Sequence, residues 1–343
     1  MDKVMITGAT GFIGSHIVRE FLQHDIPVCC LVRKNSDLSN IEGLDVTFEY
    51  SDIRDLPSLK KAFNGYGTVI HNAAYVHDWG DYTLFYSTNV KGSLNVLEAS
   101  CSNNIKHVIM TGSCASYGEE NSHTIKNESH PFNSHYHYFL DRLFPCRMNF
   151  YRDTKALATQ YAAAYARKKG LNLTILEPVW VFGEREFSSG FFEYMQSIKE
   201  GIFMVPGSSK NRFHVIYAAD CARAYYAAYR KKLKGVERIL IGNPNAVNMN
   251  HLFSSFVRYA GLPGPVYIPK WIMYPVALVM EIFHILFQLK KPPLLSRARV
   301  NMFYDNIEYS VRKAEKLLGF TANYPLNDAI ERTVSWYKKN KFL

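Results

Sequence analysis

Short apolar runs recur along the chain at 3–6, 27–32, 46–50, 68–71, 107–111, 173–176 and 238–241. Between them, apolar residues fall at helical spacing, as in Ile13, Ile17, Val18, Phe21 and Leu22. Short, uniformly apolar strands alternating with amphipathic helices predict a mostly parallel sheet covered on both faces. The expected class is α/β, doubly wound. After Pro178 the alternation loosens, and 180–215 and 244–343 carry more aromatics, prolines and irregular stretches.

The first run ends directly on TGATGFIG at 7–14. Glycines at 8, 11 and 14 let a strand turn sharply into a helix, so that backbone N–H groups and the helix N-terminus can approach a pyrophosphate. A glycine triplet alone is weak, but one that follows a strand and opens a helix is a dinucleotide-binding start of the Rossmann type. On this reading Gly8, Thr10, Gly11, Phe12, Ile13 and Gly14 cradle the cofactor. The core is then 1–178, with 213–243 returning to it. Segments 179–212 and 244–343 form a smaller, mainly helical C-terminal substrate lobe.

The most hydrophobic segment is 269–289, PKWIMYPVALVMEIFHILFQL. A bilayer span needs about 20 clean apolar residues, and Pro275, Glu281 and His284 interrupt this one. Two readings remain: a lobe helix packed on the core, or a helix lying in the plane of a membrane surface, helped by Trp271, Tyr274, Lys290 and Lys291.

Composition narrows the class further. The 343 residues are 48% hydrophobic and 20% charged, as in globular proteins, with a net charge of +10. The cations are scattered, which suits a phosphate-bearing cofactor or an anionic membrane surface better than nucleic acid. Cys29, Cys30, Cys101, Cys114, Cys146 and Cys221 show no metal-ligand spacing and read as reduced, mostly buried residues. No secretory leader precedes the first strand, so a cytoplasmic location is expected, with peripheral membrane contact through 269–289 as the variation.

The second strand ends in CLVRKNS, with Val32, Arg33 and Lys34 where an NAD-binding chain carries an acid for the ribose. A carboxylate would repel the extra phosphate of NADP, whereas a guanidinium can grip it with two hydrogen bonds. Arg33 therefore favours NADP (NADPH), with NAD the second choice; Asp37 lies too far along to be an obvious ribose ligand unless its loop returns it. Farther on, Tyr151 and Lys155 form a YxxxK pair on one helix face. Bringing a phenol from its ordinary value near 10 to about 7 takes roughly 4 kcal/mol of preferential stabilisation, which a nearby ammonium helps supply. Ser113, in MTGSCASYG, would lie beside that tyrosine and orient a substrate oxygen while Tyr151 exchanges the proton.

With these motifs the chain resembles an extended short-chain dehydrogenase/reductase. Further matches are DIRD at 52–55, HNAA at 71–74, TNVKG at 88–92 and EPVWVFG at 177–183. The resemblance implies that Asp52 and Ile53 meet the adenine, that Ala73 and Ala74 pass beneath the cofactor, and that Pro178 and Val179 approach the nicotinamide. It gives Asn89 a part in holding the catalytic helix and relaying protons, and has Lys155 bond the nicotinamide ribose. Members of such a family often pair through helices that include the YxxxK helix, so a homodimer is one option and the oligomeric state stays open.

Departures from the family pattern bear on the reaction. Ser113 is followed by Cys114 and Ala115 rather than by the acids of sugar-nucleotide dehydratases. Where epimerases carry an arginine for the nucleotide pyrophosphate, this chain has Phe213, with Arg212 one residue away and within reach of a single loop slip. The strand-two ending and YVHDWGDYTLFYSTNV look closer to dihydroflavonol reductases and 3β-hydroxysteroid dehydrogenase-like proteins. Hydride exchange between NADP(H) and a ketone or secondary alcohol on a bulky apolar, steroid- or lipid-like small molecule is the expectation. The alternatives are a sugar-nucleotide epimerase and a non-catalytic NADP-binding regulator.

Trp180, Phe182, Phe187, Phe191, Phe192, Phe203 and Phe213 could line the pocket, about half of them being plain core. The histidines between His123 and His137 sit in a loop that reads as a substrate lid or a solvated insertion; no closed metal-ligand pattern is present, and no metal is expected.

Overall fold

The computed structural model describes residues 3–118, 124–187, 190–202, 204–206 (backbone only) and 210–343; His123 and Phe203 lie outside them. The first half alternates β1 (Val4–Thr7), α1 (Phe12–Gln23), β2 (Val28–Val32), β3 (Thr47–Tyr50), α2 (Leu56–Ala62) and β4 (Thr68–His71). It continues through α3 (Tyr82–Phe85), a π-helical stretch (Tyr86–Gly92), α4 (Ser93–Ser102), β5 (His107–Thr111), α5 (Met148–Lys169) and β6 (Asn172–Pro178). Next come β7 (Trp180–Phe182), α6 (Phe191–Lys199), β8 (Met204–Pro206), β9 (Arg212–Phe213), β10 (Val215–Tyr217), α7 (Ala218–Lys231) and β11 (Val236–Ile241). The C-terminal part holds β12 (Val247–Asn248), α8 (Met249–Ala260), β13 (Val266–Ile268), α9 (Lys270–Leu286), α10 (Arg297–Tyr304), α11 (Arg312–Leu318) and α12 (Leu326–Lys339).

Seven parallel strands form one sheet in the order β3-β2-β1-β4-β5-β6-β11, as the seven apolar runs predict. The inner strands are apolar on both sides because successive residues enter different cores, whereas the edge strand β3 is exposed to half-buried and carries Glu49. Met5, Cys29, Val69 and Val108 pack under α2, α4 and α5, whereas Ile6, Cys30, Ile70 and Ile109 belong to the opposite layer with α1 and α7. The adjacent Cys29 and Cys30 are thus buried on opposite faces, both as free thiols. Chain order reverses between β1 and β4, which opens a crevice at the strands' C-terminal ends.

Three histidines are buried within this framework. His16 Nε2 bonds the Glu184 carbonyl at 2.9 Å, His71 lies between Thr7 Oγ1 and Ser93 Oγ, and His107 Nε2 meets Thr174 Oγ1 at 2.9 Å. Burial is the main force lowering their pKa values, to about 4, 3 and 4 respectively.

The apolar segment at 269–289 forms α9, and only one narrow edge of it is buried. Ala277 and Glu281 are fully covered, while Trp271, Phe283 and Leu286 are exposed. Glu281 pairs with the equally buried Arg297, whose guanidinium also donates to the carbonyls of Phe139 and Phe144. The charge inside the apolar segment is therefore an anchor between α9, α10 and the 139–144 loop. Among the described residues, no helix is long and apolar enough to cross a membrane.

Arg297→Met leaves Glu281 buried without its partner and should cost about 3–5 kcal/mol, whereas the double Glu281→Met/Arg297→Met variant should recover much of that loss. Urea unfolding of the three proteins checks this. The neutral histidines predict acid sensitivity: the unfolded chain takes up their protons below about 6.5, so stability falls as the pH drops toward 4, by about 1.4 kcal/mol per unit for each group. Glu177, whose carboxyl burial pushes up to about 7, opposes this between about 4.5 and 7 without cancelling it. Urea midpoints across that range should decline toward acid; a flat profile would contradict the assignment.

Candidate active site

Thr7 delivers the chain to Gly8, whose φ is +69°. A Cβ there would lie 2.7 Å from the Ala73 backbone, so the turn touches the end of β4 directly. At Gly14 a Cβ would sit 2.0 Å from the Gly8 carbonyl oxygen, which fixes α1 against the same turn. Gly14 thus packs the turn and does not line the cleft. Helix α1 starts at Gly11 with no side-chain cap and no acid in its first turn, leaving its first N–H groups for an anion. These features fit a dinucleotide pyrophosphate.

The crevice runs into the C-terminal part as one cleft of about 1480 Å³. That exceeds the usual 300–1,000 Å³ of a single small-ligand pocket and has room for a dinucleotide with a second molecule. Thr10, Gly11, Phe12 and Ile13 line its cofactor end together with Gly8. Arg33, Asp52, Ile53, Ala73 and Ala74 follow, and Pro178 and Val179 lie on its far wall.

At the end of β2, Arg33 is exposed and its backbone N–H donates to Ser36 Oγ at 3.0 Å. Asp52 is gripped by Arg54 through two contacts of 3.0 and 2.7 Å. Those bonds from Arg54, with a smaller contribution from Arg33, hold the Asp52 carboxyl below the ordinary carboxylate range. Asp37 is outside the lining; its carboxylate accepts from Ser39 N–H at 2.9 Å. Arg54 is a residue that motif reading passed over, although it stands inside DIRD.

Helix α5 carries Tyr151 and Lys155 into the cleft one turn apart. Lys155 is buried and donates from Nζ to the Thr111 carbonyl at 2.6 Å. Burial lowers its pKa to about 8, and Glu177 acts in the opposite direction. Ser113 follows β5 and lines the same cleft; its Oγ accepts from Ala115 N–H at 3.2 Å, which fixes the hydroxyl oxygen. The structure therefore brings Ser113, Tyr151 and Lys155 to the wall of one cleft.

Asn89 is not in that wall. It lies in the π-helical stretch, accepts from Tyr75 N–H at 2.7 Å, and donates to the Tyr75 carbonyl and to Thr154 Oγ1. It clamps the loop after β4 to the catalytic helix. Ser93 donates to the Asn89 carbonyl, so His71 Nε2 donates to Ser93 and Nδ1 accepts from Thr7. One hydrogen-bonded chain consequently joins the glycine turn to α5. Thr111 adds a second: its hydroxyl meets Tyr225 at 2.6 Å and Asn72 Oδ1 at 2.9 Å. Thr111 was legible beside Ser113, but nothing in the Ala/Tyr-rich α7 marks Tyr225.

The substrate end is apolar. Trp180, Phe187, Phe191, Phe192 and Phe213 line it, whereas Phe182 is core, edge-on to Phe191 and Phe256. Phe213 is buried facing the cleft, and Arg212 turns away to Glu308 at 3.0 Å. Pairing of β9 with β12 sets that register, so Arg212 is outside the lining. Within the apolar wall, Arg299 pairs with Asp78 at 2.7 Å and Glu193 at 3.0 Å. In the 124–147 loop, ligand atoms of His135, His137 and Asp141 come within 4.8 Å of one another, a cluster that spacing did not reveal. Burial opposes protonation of His135, but Asp153 and Asp141 outweigh it and raise its pKa.

The chain is 26% identical over 339 residues to the N-acetyl-alpha-D-glucosaminyl-diphospho-ditrans,octacis-undecaprenol 4-epimerase of Escherichia coli O157:H7, covering 98% of this chain and 95% of that protein. It is 24% identical to the 3 beta-hydroxysteroid dehydrogenase/Delta 5-->4-isomerase of Vaccinia virus, covering 99% and 100%. Among solved structures, the UDP-glucose 4-epimerase of Thermus thermophilus, complexed with NAD, superposes with a TM-score of 0.74 at 21% identity, covering 98% and 99%. The model of the NAD dependent epimerase/dehydratase family matches residues 4–242, and this chain belongs to that family, within the extended short-chain dehydrogenases/reductases.

Proposed function

We propose that the protein exchanges hydride between NADP(H) and a ketone or secondary alcohol on a bulky apolar molecule. The observation that carries this reading is the wall around the substrate: Phe213 fills the position where a sugar-nucleotide enzyme needs a cation, and Arg212 is committed to Glu308. A diphosphate placed there would lose its water and meet an aromatic face, a cost that apolar contacts do not offset. Carbon-rich ligands gain from the same wall.

The nicotinamide, when bound, donates or accepts the hydride. In the reductive direction Ser113 orients the carbonyl oxygen and Tyr151 gives it the phenolic proton. The substrate oxygen would thus take its proton from Tyr151 while the bound cofactor would supply the hydride to the carbon. Lys155, held by the Thr111 carbonyl, stabilises the phenolate left behind. Oxidation of an alcohol runs the same steps backward.

Arg33 and Ser36 support NADP over NAD, because the carboxylate that lines this end, Asp52, is already neutralised by Arg54. The relatives named for epimerisation align with 98% of this chain at 26% identity, and a shared fold does not specify the substrate.

Tyr151→Phe should keep NADPH affinity while turnover of a ketosteroid falls by about 10²–10⁴-fold. Fluorescence titration and single-turnover kinetics read the two quantities separately; full activity in the variant would overturn the mechanism. Arg33→Ala should weaken NADPH by about 10–100-fold and NADH far less. Equal losses for the two cofactors would refute the assignment of the phosphate site.

A further inference from the structure

Helix α9 presents an apolar stripe to the outside. Trp271, Val276, Val279, Phe283, Leu286 and Phe287 follow one another at spacings of five, three, four, three and one, and Trp271 is 77% exposed. The 139–143 loop, tied to the covered edge of α9 by the Phe139 N–H donating to the Tyr274 hydroxyl, displays two further apolar side chains, Phe139 and Leu143, the latter 70% exposed. Isolated exposed apolar residues are ordinary, but a contiguous platform of this kind marks an interaction surface.

Charge and shape decide the occupant. Across 269–294 the sole carboxylate is Glu281, which is buried against Arg297, whereas Lys290 and Lys291 follow the stripe on the exposed side and Arg142 stands exposed beside Leu143. A carbon-rich face with an aromatic residue at one end and cations at its margin matches the boundary between acyl chains and anionic headgroups. Moreover, the platform is continuous with the cleft. Ile272, Val276 and Leu294 are solvent-accessible and line the substrate end, so the cleft opens along this edge of α9. A second copy of the chain seated on this face would cap that opening, whereas a bilayer would fill it with lipid.

We propose that α9 and the 139–143 loop dock the protein in the plane of an anionic bilayer, and that the substrate enters the cleft directly from the acyl layer. Docking needs nothing from the reaction, but the entry route rests on the apolar-substrate reading above. It assigns the substrate class more narrowly, to a lipid ketone or alcohol that resides in the membrane.

The test uses the full chain with NADPH and two vesicle preparations, phosphatidylcholine alone and phosphatidylcholine with phosphatidylglycerol. The protein should co-sediment with the anionic vesicles. Phe283→Glu/Phe287→Glu should reduce that binding by about tenfold or more per residue, and Lys290→Glu/Lys291→Glu should abolish the preference for anionic lipid. Both variants should keep NADPH affinity and circular dichroism, which shows that they fold. With a 3-ketosteroid as probe, they should lose turnover from vesicles and retain it from detergent. Absence of vesicle binding by the parent protein would overturn the proposal, as would a parent dimer that Phe283→Glu/Phe287→Glu converts to monomer. Equal vesicle and detergent turnover by the variants would overturn the entry route. Vesicle binding with no ketone reduction in either medium would leave the docking surface standing and overturn the reaction assigned above.

Discussion

The bond from Lys155 to the Thr111 carbonyl holds the site together. An ammonium is costly to bury, and this one is covered by the fold with a backbone carbonyl at 2.6 Å as its recorded acceptor. That bond fastens α5 to the end of β5, one turn from Tyr151 and two residues from Ser113. Burial draws the lysine down to about 8, so on the proposed mechanism the charge that would favour a phenolate at Tyr151 lies close to its titration at neutral pH. Asn89 braces the same helix from the other side through Thr154, and His71 carries the brace back to the glycine turn. Cofactor cradle and proton donor are thus parts of one hydrogen-bonded frame.

That frame serves two unlike halves of a single cleft. At one end are an uncapped helix start, Arg33 and the Asp52–Arg54 pair, all suited to phosphates and ribose. At the other, aromatic and aliphatic side chains surround the ion cluster at Arg299. The family match runs over residues 4–242, which include the first half and β9, whereas α9 lies beyond it. The fold is that of the family, and a shared fold leaves substrate choice to the residues of the individual site.

The parts of the fold that could be read from the chain were those governed by short-range rules. The inner parallel strands announced themselves because both of their faces are buried, and the glycine turn because a Cβ at 8 or 14 would strike backbone. Tyr151, Lys155 and Ser113 were legible as a motif with a mechanism. What stayed hidden depends on contacts between distant segments. Tyr225 meets Thr111 across 114 residues, and Arg299 reaches Asp78 across 221. The direction of Arg212 was equally unreadable, since a two-residue strand pairing decides it. Segment 269–289 illustrates the limit well: its hydrophobicity was plain, but only the fold shows that Glu281 faces inward to Arg297 and leaves the apolar stripe outside.

The central claim is that a hydride passes to a carbon of an apolar substrate and stays there. It is tested most directly by supplying NADPH deuterated at the transferable position together with a membrane-soluble ketone, and locating the label by mass spectrometry. The account predicts one deuterium on the carbinol carbon of the alcohol product, with one NADP⁺ formed for each. No deuterium in the alcohol fraction, together with inversion of a sugar nucleotide supplied in parallel with NADP⁺ and no net cofactor reduction, would contradict it.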